Sequence, residues 1–285
     1  MLSPAPMKPH PNDLGPFGQH APGPLVTRII QRTRQASLGW AGKRGAFALR
    51  KLALRVLAGR PVDTEALGAR MRLYPYNNVC EKRILFTPQY FDEPERKVLA
   101  DAIGPDFVFI DVGANIGGYS LFVAAQAAGK ARILAIEPQP EIFERLVYNI
   151  RQNDFACIKA LDCAVSDKDG EITLFLPEHN RGETSMRIVN SDINGKQLRV
   201  MARTLLGLIE EERYDHVDAI KLDVEGAEDL ILETFYKTAP QHLWPKLVLM
   251  EYSNGRWAID LPRIMTASGY REMLRTKQNV VWLRD

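Results

Sequence analysis

A strand, a glycine-rich turn, a helix and a second strand follow one another between residues 107 and 137. The apolar run FVFID (107–111) leads into the turn DVGANIGGYS, and the run ARILAIE (131–137) ends in Glu137. Glycines in such a turn let the backbone approach a ligand closely, and open α/β folds bind ligands at the carboxyl ends of their strands. This order therefore predicts a nucleotide-type cofactor site on an α/β fold.

Strands and helices continue to alternate along the rest of the chain. Further strands are expected at 157–165, 171–176, 197–203, 217–223 and 246–252, and helices at 117–128, 140–153, 226–237 and 260–268. Strands that alternate with helices of this length predict an α/β fold with a doubly wound, mostly parallel sheet. The last segments, GYREMLRT and NVVWLRD, predict an antiparallel hairpin at the edge of that sheet.

The first 70 residues differ in composition from the remainder. Residues 1–24 contain seven prolines, and such a segment buries too little apolar surface to offset the entropy lost on ordering. Residues 25–60 contain nine Lys or Arg and no acidic residue. We therefore expect a disordered tail over 1–24, a basic helical extension over 25–70 and one α/β domain over 71–285.

Two interpretations fit the basic extension. In the stretch FALRKLALRVLAG, helical spacing places Arg50, Lys51 and Arg55 on one side, with Phe47, Leu52, Leu54 and Leu57 elsewhere. A basic amphipathic helix binds anionic membrane surfaces or anionic partners. A helix that caps the domain and keeps its basic face in water has the same pattern. Peripheral membrane contact through residues 25–60 is thus one of two readings.

The segment between this extension and the first predicted strand is less regular. Residues 72–91 are expected to form short strands and turns. Pro94, followed by ERKVLADAI, predicts a helix with proline in its first turn.

Overall charge and cysteine content restrict the partners and the compartment. A formal net charge of +2 gives no preference for nucleic acid. Three cysteines without C-x-x-C spacing are typical of reduced thiols in a cytosolic protein. Neither a membrane-spanning apolar run nor a secretory signal is recognisable. We expect a cytoplasmic protein, with peripheral contact at the inner face of the membrane left open. The oligomeric state is not indicated.

The glycine-rich turn also restricts the choice of cofactor. Gly113, Gly117 and Gly118 lie near the positions of the dinucleotide pattern G-x-G-x-x-G, but Asn115 replaces its second glycine. A side chain there occupies the place where backbone approaches a pyrophosphate. S-adenosylmethionine contains no phosphate, and Asp111 at the strand end is suited to its ammonium group. An NAD(P)-dependent oxidoreductase and a catalytically silent Rossmann-like binding protein remain alternatives.

Acidic residues at two further strand ends suit the nucleoside half of such a cofactor. Glu137 lies 26 residues after Asp111, near the spacing of about 20 expected for a ribose-binding acid. It can equally be a capping acid of the following helix. After the third strand, Asp162 or the backbone around Ala164 can meet an adenine, and Asp167 is an alternative.

The segment KLDVEGAEDLIL (221–232) supplies the candidate base. Asp223 follows a central strand, and Glu225 and Glu228 enter the next helix, where acids also serve as simple capping residues. Glu251 ends the neighbouring strand and shares the same edge of the sheet, which makes it a candidate acceptor contact. Carboxylates there suit a cationic sulfonium, and one of them can accept a proton from an acceptor hydroxyl.

The polar stretch PEHNRGETSMR, between two predicted strands, is the candidate acceptor loop. His179 competes there with the carboxylates as general base, or is an ordinary exposed histidine. The residues suited to a polyhydroxylated acceptor are Asn180, Arg181, Thr184 and Ser185. No spacing of His, Asp and Glu specifies a metal site, so we expect metal independence.

Four segments together resemble the FkbM family of S-adenosylmethionine-dependent methyltransferases: 111–124, 135–150, 160–174 and, most specifically, IKLDVEGAEDLIL at 220–232. They occur in the family's order and spacing, and the lead-in 90–99 is also similar. The resemblance implies a class I methyltransferase (Rossmann-like) fold. It further implies O-methylation of a hydroxyl on a sugar, a glycan or a small natural product, with that molecule as the partner.

The resemblance also implies roles for individual residues. Asp223 and Glu225 are expected to face the reaction centre. The expected cofactor contacts are Asp111, Gly113, Ala114, Asn115, Gly117 and Glu137, in addition to Asp162 and Ala164 near the adenine. The N-terminal 60 residues lie outside the resemblance, which implies nothing about them.

Overall fold

Alternating helices and strands make up the described part of the chain in this computed structural model: residues 12–76, 78–176, 196–224, 226–252 and 255–284. The first elements are α1 (Pro24–Arg34), α2 (Trp40–Leu57), β1 (Val62–Ala66), β2 (Ala69–Leu73), α3 (Val79–Phe86) and α4 (Glu93–Ala102). They are followed by β3 (Val108–Val112), α5 (Gly118–Gln126), β4 (Arg132–Ile136), α6 (Pro140–Arg151), β5 (Ile158–Leu161), β6 (Ala164–Ser166), β7 (Gly170–Leu176) and β8 (Lys196–Thr204). The last elements are α7 (Leu205–Glu211), β9 (Ala219–Leu222), α8 (Glu228–Thr238), β10 (Leu247–Glu251), α9 (Leu261–Ala267), β11 (Tyr270–Arg275) and β12 (Asn279–Arg284).

Seven strands of the described chain form the central sheet in the order β11-β12-β10-β9-β3-β4-β5. The pairs from β10 to β5 are parallel, and β12 is antiparallel to both of its neighbours. From β3 the chain builds outward through β4 and β5, and it later returns to start again at β9 on the other side. Adjacent parallel strands that lead away in opposite directions open a crevice at their carboxyl ends. The predicted fold class, including the C-terminal antiparallel hairpin, is confirmed.

Both faces of this sheet are covered by helices. Phe109 and Ile133 face one layer, where they join a core with residues of α1 to α6. Their neighbours Ile110 and Leu134 face the opposite layer, which α7, α8 and α9 build. Parallel strands buried on both faces require near-continuous apolar runs, and this explains why the strands were recognisable in the sequence.

The N-terminal residues 12–24 lie on the domain rather than apart from it. The buried guanidinium of Arg72 donates to the backbone oxygens of Asp13, Gly15 and Pro16 at 2.8, 3.0 and 2.8 Å. Arg72 also pairs with Asp63 at 2.6 Å. The prediction of disorder over residues 1–24 is therefore wrong for 12–24, because a buried cation satisfies this backbone. Residues 1–11 lie outside the described part of the chain.

Two further local predictions need correction. The extension over 25–70 is not purely helical, since it also contains β1 and the start of β2, which form a separate hairpin. The segment 72–91, expected as strands and turns, contains helix α3. The Asn78 side chain caps that helix by accepting a hydrogen bond from the Glu81 backbone N–H at 3.2 Å. The predicted helix at Pro94 is confirmed as α4.

Candidate active site

A cavity of about 240 Å³ lies at the carboxyl ends of β3 and β9, where the order of the strands reverses. The turn after β3 and the end of β9 form its floor, with Asp111, Asn115, Lys221 and Asp223 on the wall. The start of α3 and the residues before α4 close its other side. This is the place at which open α/β folds bind ligands.

Glycine is required at the first position of the turn after β3. Gly113 has a φ of +76°, and a Cβ added to it would lie 2.1 Å from the backbone oxygen of Asp223. The backbone N–H groups of Gly113 and Ala114 both donate to the Ile136 oxygen at 2.9 Å. The turn is therefore pressed between the ends of β4 and β9, and no side chain fits there.

Asn115 closes this turn with its side chain. Its φ of +52° lies in the left-handed region, which asparagine tolerates. Its side-chain oxygen accepts from the Ile116 backbone N–H at 2.9 Å and from Asn78 Nδ2 at 2.7 Å. Asn115, which replaces the second glycine of the dinucleotide pattern, thus stabilises the turn and connects it to Asn78, the cap of α3.

Asp111 lines the cavity and has one carboxylate oxygen without a hydrogen-bond partner among the described residues. Its Oδ2 accepts from the Ser120 backbone N–H at 3.0 Å and from the Ser120 hydroxyl at 2.6 Å. Within the described chain, its buried Oδ1 has no hydrogen-bond partner. Burial raises the pKa of this carboxyl, and the Lys221 charge opposes that rise. A buried oxygen of this kind is costly unless a ligand or water donates to it.

Glu137 is buried beside the turn and accepts two backbone hydrogen bonds. Its Oε2 accepts from the Asn115 N–H at 2.9 Å, and its Oε1 accepts from the Gln139 N–H at 3.0 Å. Burial raises the pKa of Glu137 to about 7, although the two hydrogen bonds act in the opposite direction. Each carboxylate oxygen has a second lone pair and can accept a further donor.

Lys221 and Asp223 form an ion pair at the cavity, with 3.0 Å between Nζ and Oδ2. The Lys221 side chain is 10% exposed and that of Asp223 is 47% exposed, so the carboxylate is the accessible partner. Burial lowers the pKa of Lys221, but the charges of Asp223 and Asp111 outweigh this and raise it above its usual value. Lys221 is therefore a permanent cation between two carboxylates.

The opposite wall is built around Asp92. Its Oδ1 accepts from Arg83 at 3.0 Å, and its Oδ2 accepts from the Tyr119 hydroxyl at 3.3 Å. Burial raises the pKa of Asp92, while the Arg83 charge lowers it. Glu251, the predicted acceptor contact, also lies on the cavity wall, as does Arg256.

The loop after β9 is fastened by Glu228. This buried carboxylate accepts from the Val224 and Gly226 N–H groups, both at 3.3 Å, and from Trp257 Nε1 at 2.9 Å. Glu228 therefore shapes the loop that follows Asp223, which is more than the capping of α8 considered from the sequence.

Several predicted site residues lie elsewhere. Gly117, with a φ of +92°, is the N-cap residue of α5 and lies against Leu146 in the interior. Asp162 is exposed after β5, and Ala164 is buried at the start of β6, so the structure brings neither to the cavity wall. The remaining predicted residues fall outside the described part of the chain: His179, Asn180, Arg181, Thr184, Ser185 and Glu225.

Sequence reasoning missed several residues of the wall. The signal for Lys221 was a charged residue inside the apolar strand AIKL. The signal for Asn78 was an asparagine three residues before Glu81, a spacing typical of a helix N-terminus. Arg83, Asp92 and Tyr119 gave no comparable signal, because only the packing of α3, α4 and α5 places them together.

A comparison with known protein families identifies the family of this chain. Residues 111–272 match the methyltransferase FkbM domain. The chain belongs to this family. The match begins at the buried aspartate of β3 and extends beyond β10, so it includes every strand end that forms the floor of the cavity. S-adenosylmethionine is the cofactor expected of a family member.

Individual relatives of this FkbM protein are distant. The methyltransferase sdnD of Sordaria araneosa is 29% identical over 152 residues, which cover 44% of this chain and 58% of that protein. The AMB antimetabolite synthetase AmbE of Pseudomonas aeruginosa is 28% identical over 163 residues, 45% of this chain and 8% of that protein. The chain thus spans little more than half of the first relative and a small part of the second.

The solved structures that superpose on this chain include two methyltransferase structures. The human methyltransferase 10 domain containing protein superposes with a TM-score of 0.47 at 14% identity, covering 87% of this chain and 98% of that chain. The METTL16 MTase domain superposes with a TM-score of 0.47 at 13% identity, covering 91% of this chain and 90% of that chain.

The residues at the cavity fit S-adenosylmethionine. The unpartnered Oδ1 of Asp111 suits a cationic ammonium group or a water bound to it. The turn at Gly113 offers backbone without side chains, and Asn115 leaves no glycine where a pyrophosphate would require one. Among the described residues, no group of three or more His, Cys, Asp or Glu is arranged to hold a metal ion.

Proposed function

We propose that the protein is an S-adenosylmethionine-dependent methyltransferase that methylates a hydroxyl group of a sugar, a glycan or a small natural product. One observation carries this proposal. Asp111 lines the cavity and has a buried carboxylate oxygen without a partner among the described residues, and a second carboxylate on the same cavity, Asp223, is half exposed. The first suits the cationic end of the cofactor, and the second suits the proton of an acceptor.

Three groups would hold the cofactor. Asp111 Oδ1 accepts from the ammonium group or a bridging water, and the free lone pairs of Glu137 accept from the ribose hydroxyls. The exposed Asp162 and the backbone at Ala164 remain candidates for the adenine. When bound, S-adenosylmethionine supplies an electrophilic methyl group on a sulfonium. The chain has to align the acceptor with it and exclude water.

Asp223 would take the proton of the acceptor hydroxyl. A hydroxyl oxygen is a weak nucleophile until its proton is removed, and a carboxylate within hydrogen-bond reach accepts that proton as the new C–O bond forms. The proton goes to the Asp223 carboxylate and from there to solvent. Lys221, 3.0 Å away, holds the carboxylate in place. Glu225 and His179 are the competing candidates.

The test separates cofactor binding from chemistry. Asp111→Ala is expected to abolish S-adenosylmethionine binding in calorimetry. Asp223→Asn is expected to bind the cofactor with unchanged affinity and to lower the rate of methyl transfer roughly 100-fold or more. Full activity of Asp223→Asn on a genuine acceptor would refute its role as base.

The acceptor can be found by comparing cells with and without the gene. Mass spectrometry of glycans and small molecules is expected to show a species that lacks one methyl group in the deletion strain. A thermal-shift comparison of S-adenosylmethionine with NAD checks the cofactor class. Stabilisation by NAD alone would overturn the proposed function.

A further inference from the structure

The helices α1 and α2 pack against each other and leave one surface of α2 uncovered. Ala46, Ala53 and Leu57 form the buried side of α2. We call the outward surface the hairpin face; its residues are Leu38, Trp40, Lys43, Arg44, Phe47, Lys51, Leu52 and Arg55. Leu38 and Trp40, at the turn between the helices, are 65% and 73% exposed. Phe47 and Leu52 are 41% and 45% exposed.

The charges on the hairpin face are of one sign. Residues 25–60 contain nine Lys or Arg and no acid. Arg34 is used internally, since it donates to the backbone oxygens of Leu85 and Glu65. Within the described ranges, the four cations of the hairpin face form no ion pair. One of them, Arg44, lies over the ring of Trp40 at 4.6 Å.

We propose that the hairpin face docks on an anionic lipid bilayer. Four cations on one surface attract an anionic leaflet, and each side chain near it contributes about fivefold to partitioning. Charge alone would suit any polyanion, but exposed Trp40 and Leu38 at the tip suit the interfacial region of a membrane. Exposed Trp, Phe and Leu side chains beside Lys and Arg are the residue types that hold helices at the membrane interface. No helix of the described chain is long and apolar enough to cross the membrane.

The hairpin face adjoins the wall of the candidate active site. The Tyr90 hydroxyl donates to the Ser37 backbone oxygen, and Lys43 Nζ lies 5.4 Å from the Tyr90 ring centre. Phe91 and Asp92, the next two residues, line the cavity. Docking would therefore hold the cavity wall close to the lipid surface. If the proposed methyl transfer is also correct, the acceptor would be presented at a membrane. Only this consequence rests on the proposed function.

Vesicle sedimentation tests the docking without cofactor or acceptor, so its result is independent of the proposed function. The full chain is mixed with vesicles of phosphatidylcholine alone or with phosphatidylglycerol added, at low and high salt. We expect binding only with the anionic lipid, and a decrease at high salt because the charges are screened. Equal binding to both vesicle types, or none to either, would overturn the proposal.

A charge variant locates the surface. Lys43, Arg44, Lys51 and Arg55 are each replaced by Gln. The variant is expected to partition roughly 100-fold or more weakly than the wild type. The matched control replaces two lysines and two arginines that are exposed elsewhere, Lys130, Lys168, Arg213 and Arg263, with the same loss of charge. An equal loss in both variants would show a general charge effect and refute the hairpin face as the docking site.

Trp40 reports whether the tip enters the lipid. Brominated anionic lipids are expected to quench wild-type tryptophan fluorescence and to quench that of Trp40→Phe much less. The conservative change keeps the fold, so this arm does not depend on the stability of the charge variant. Quenching that is identical in both proteins would refute insertion. Binding of heparin with no binding to anionic vesicles would assign the face to a soluble polyanion and overturn the proposal.

Discussion

The ribose-binding role proposed for Glu137, at the end of β4, can be tested through the pH dependence of ligand affinity. Burial raises the pKa of this carboxyl to about 7 in the ligand-free protein. Ribose hydroxyls that donate to Glu137 prefer the ionised carboxylate, so binding returns its pKa toward the usual 4.5. Affinity must therefore rise with pH through 7 and become nearly constant above about pH 8. If the bound group titrates near 4.5, affinity is roughly tenfold weaker at pH 6 than at pH 8.

Calorimetry from pH 6 to pH 8 measures this effect. Methylthioadenosine is a suitable probe, since it has the ribose but no amino-acid group that titrates in the same range. The wild type is expected to show the tenfold change, and Glu137→Gln is expected to show none. The variant retains one of the two backbone hydrogen bonds, so it should lose only about 1 kcal/mol of stability. Affinity that does not change with pH in the wild type would show that Glu137 serves the turn alone.

The titration of Glu137 also changes the free energy of unfolding, which falls with rising pH whereas the ligand affinity rises. A carboxyl with a raised pKa in the folded state contributes its full stability below pH 4.5 and loses it as pH rises through 7. The free energy of unfolding should therefore fall by roughly 3 kcal/mol between pH 4.5 and pH 8 through this group. The difference between wild type and Glu137→Gln in denaturant unfolding isolates it. A pH-independent difference would contradict the raised pKa.

Three further changes test the turn after β3, the ion pair at the cavity and the attachment of the N-terminal residues. Gly113→Ala should cost more than about 2 kcal/mol in denaturant unfolding, from its left-handed backbone and the contact with Asp223. Gly129→Ala is the control, because Gly129 also has a left-handed backbone, with a φ of +74°, but no atom lies within 4 Å of an added Cβ. It should cost only the backbone strain, about 1 kcal/mol. Lys221→Met should lower the rate of methyl transfer about tenfold, because Asp223 loses the charged hydrogen bond that holds its carboxylate in place; an unchanged rate would exclude this role. Arg72→Met should lower the free energy of unfolding by about 3 kcal/mol and expose residues 12–20 to limited proteolysis, since it leaves a buried carboxylate unpaired. Protease resistance equal to that of the wild type would contradict that account.

The fold was recognisable because its signals are local. Parallel strands buried on both faces require unbroken apolar runs, as in β3 and β10, and helices between them follow the 3.6-residue period. The segment around α3 was misjudged because its helix depends on one capping side chain, Asn78, and on burial of Ile84, Leu85 and Phe86. The tail was misjudged because its order comes from Arg72, which lies far along the chain.

The sequence alone determined the class of fold, the family and the strand ends at which the site would be found. It could do so because the Asp111 turn, Glu137 and Asp223 lie next to the strands that carry them. Tertiary structure decided what those residues can do. Among the described residues it left Asp111 Oδ1 without a partner, placed Lys221 beside Asp223, and used Glu137 to hold the turn. Burial and hydrogen bonding depend on residues that folding brings together from distant segments, and a local sequence pattern does not predict those contacts.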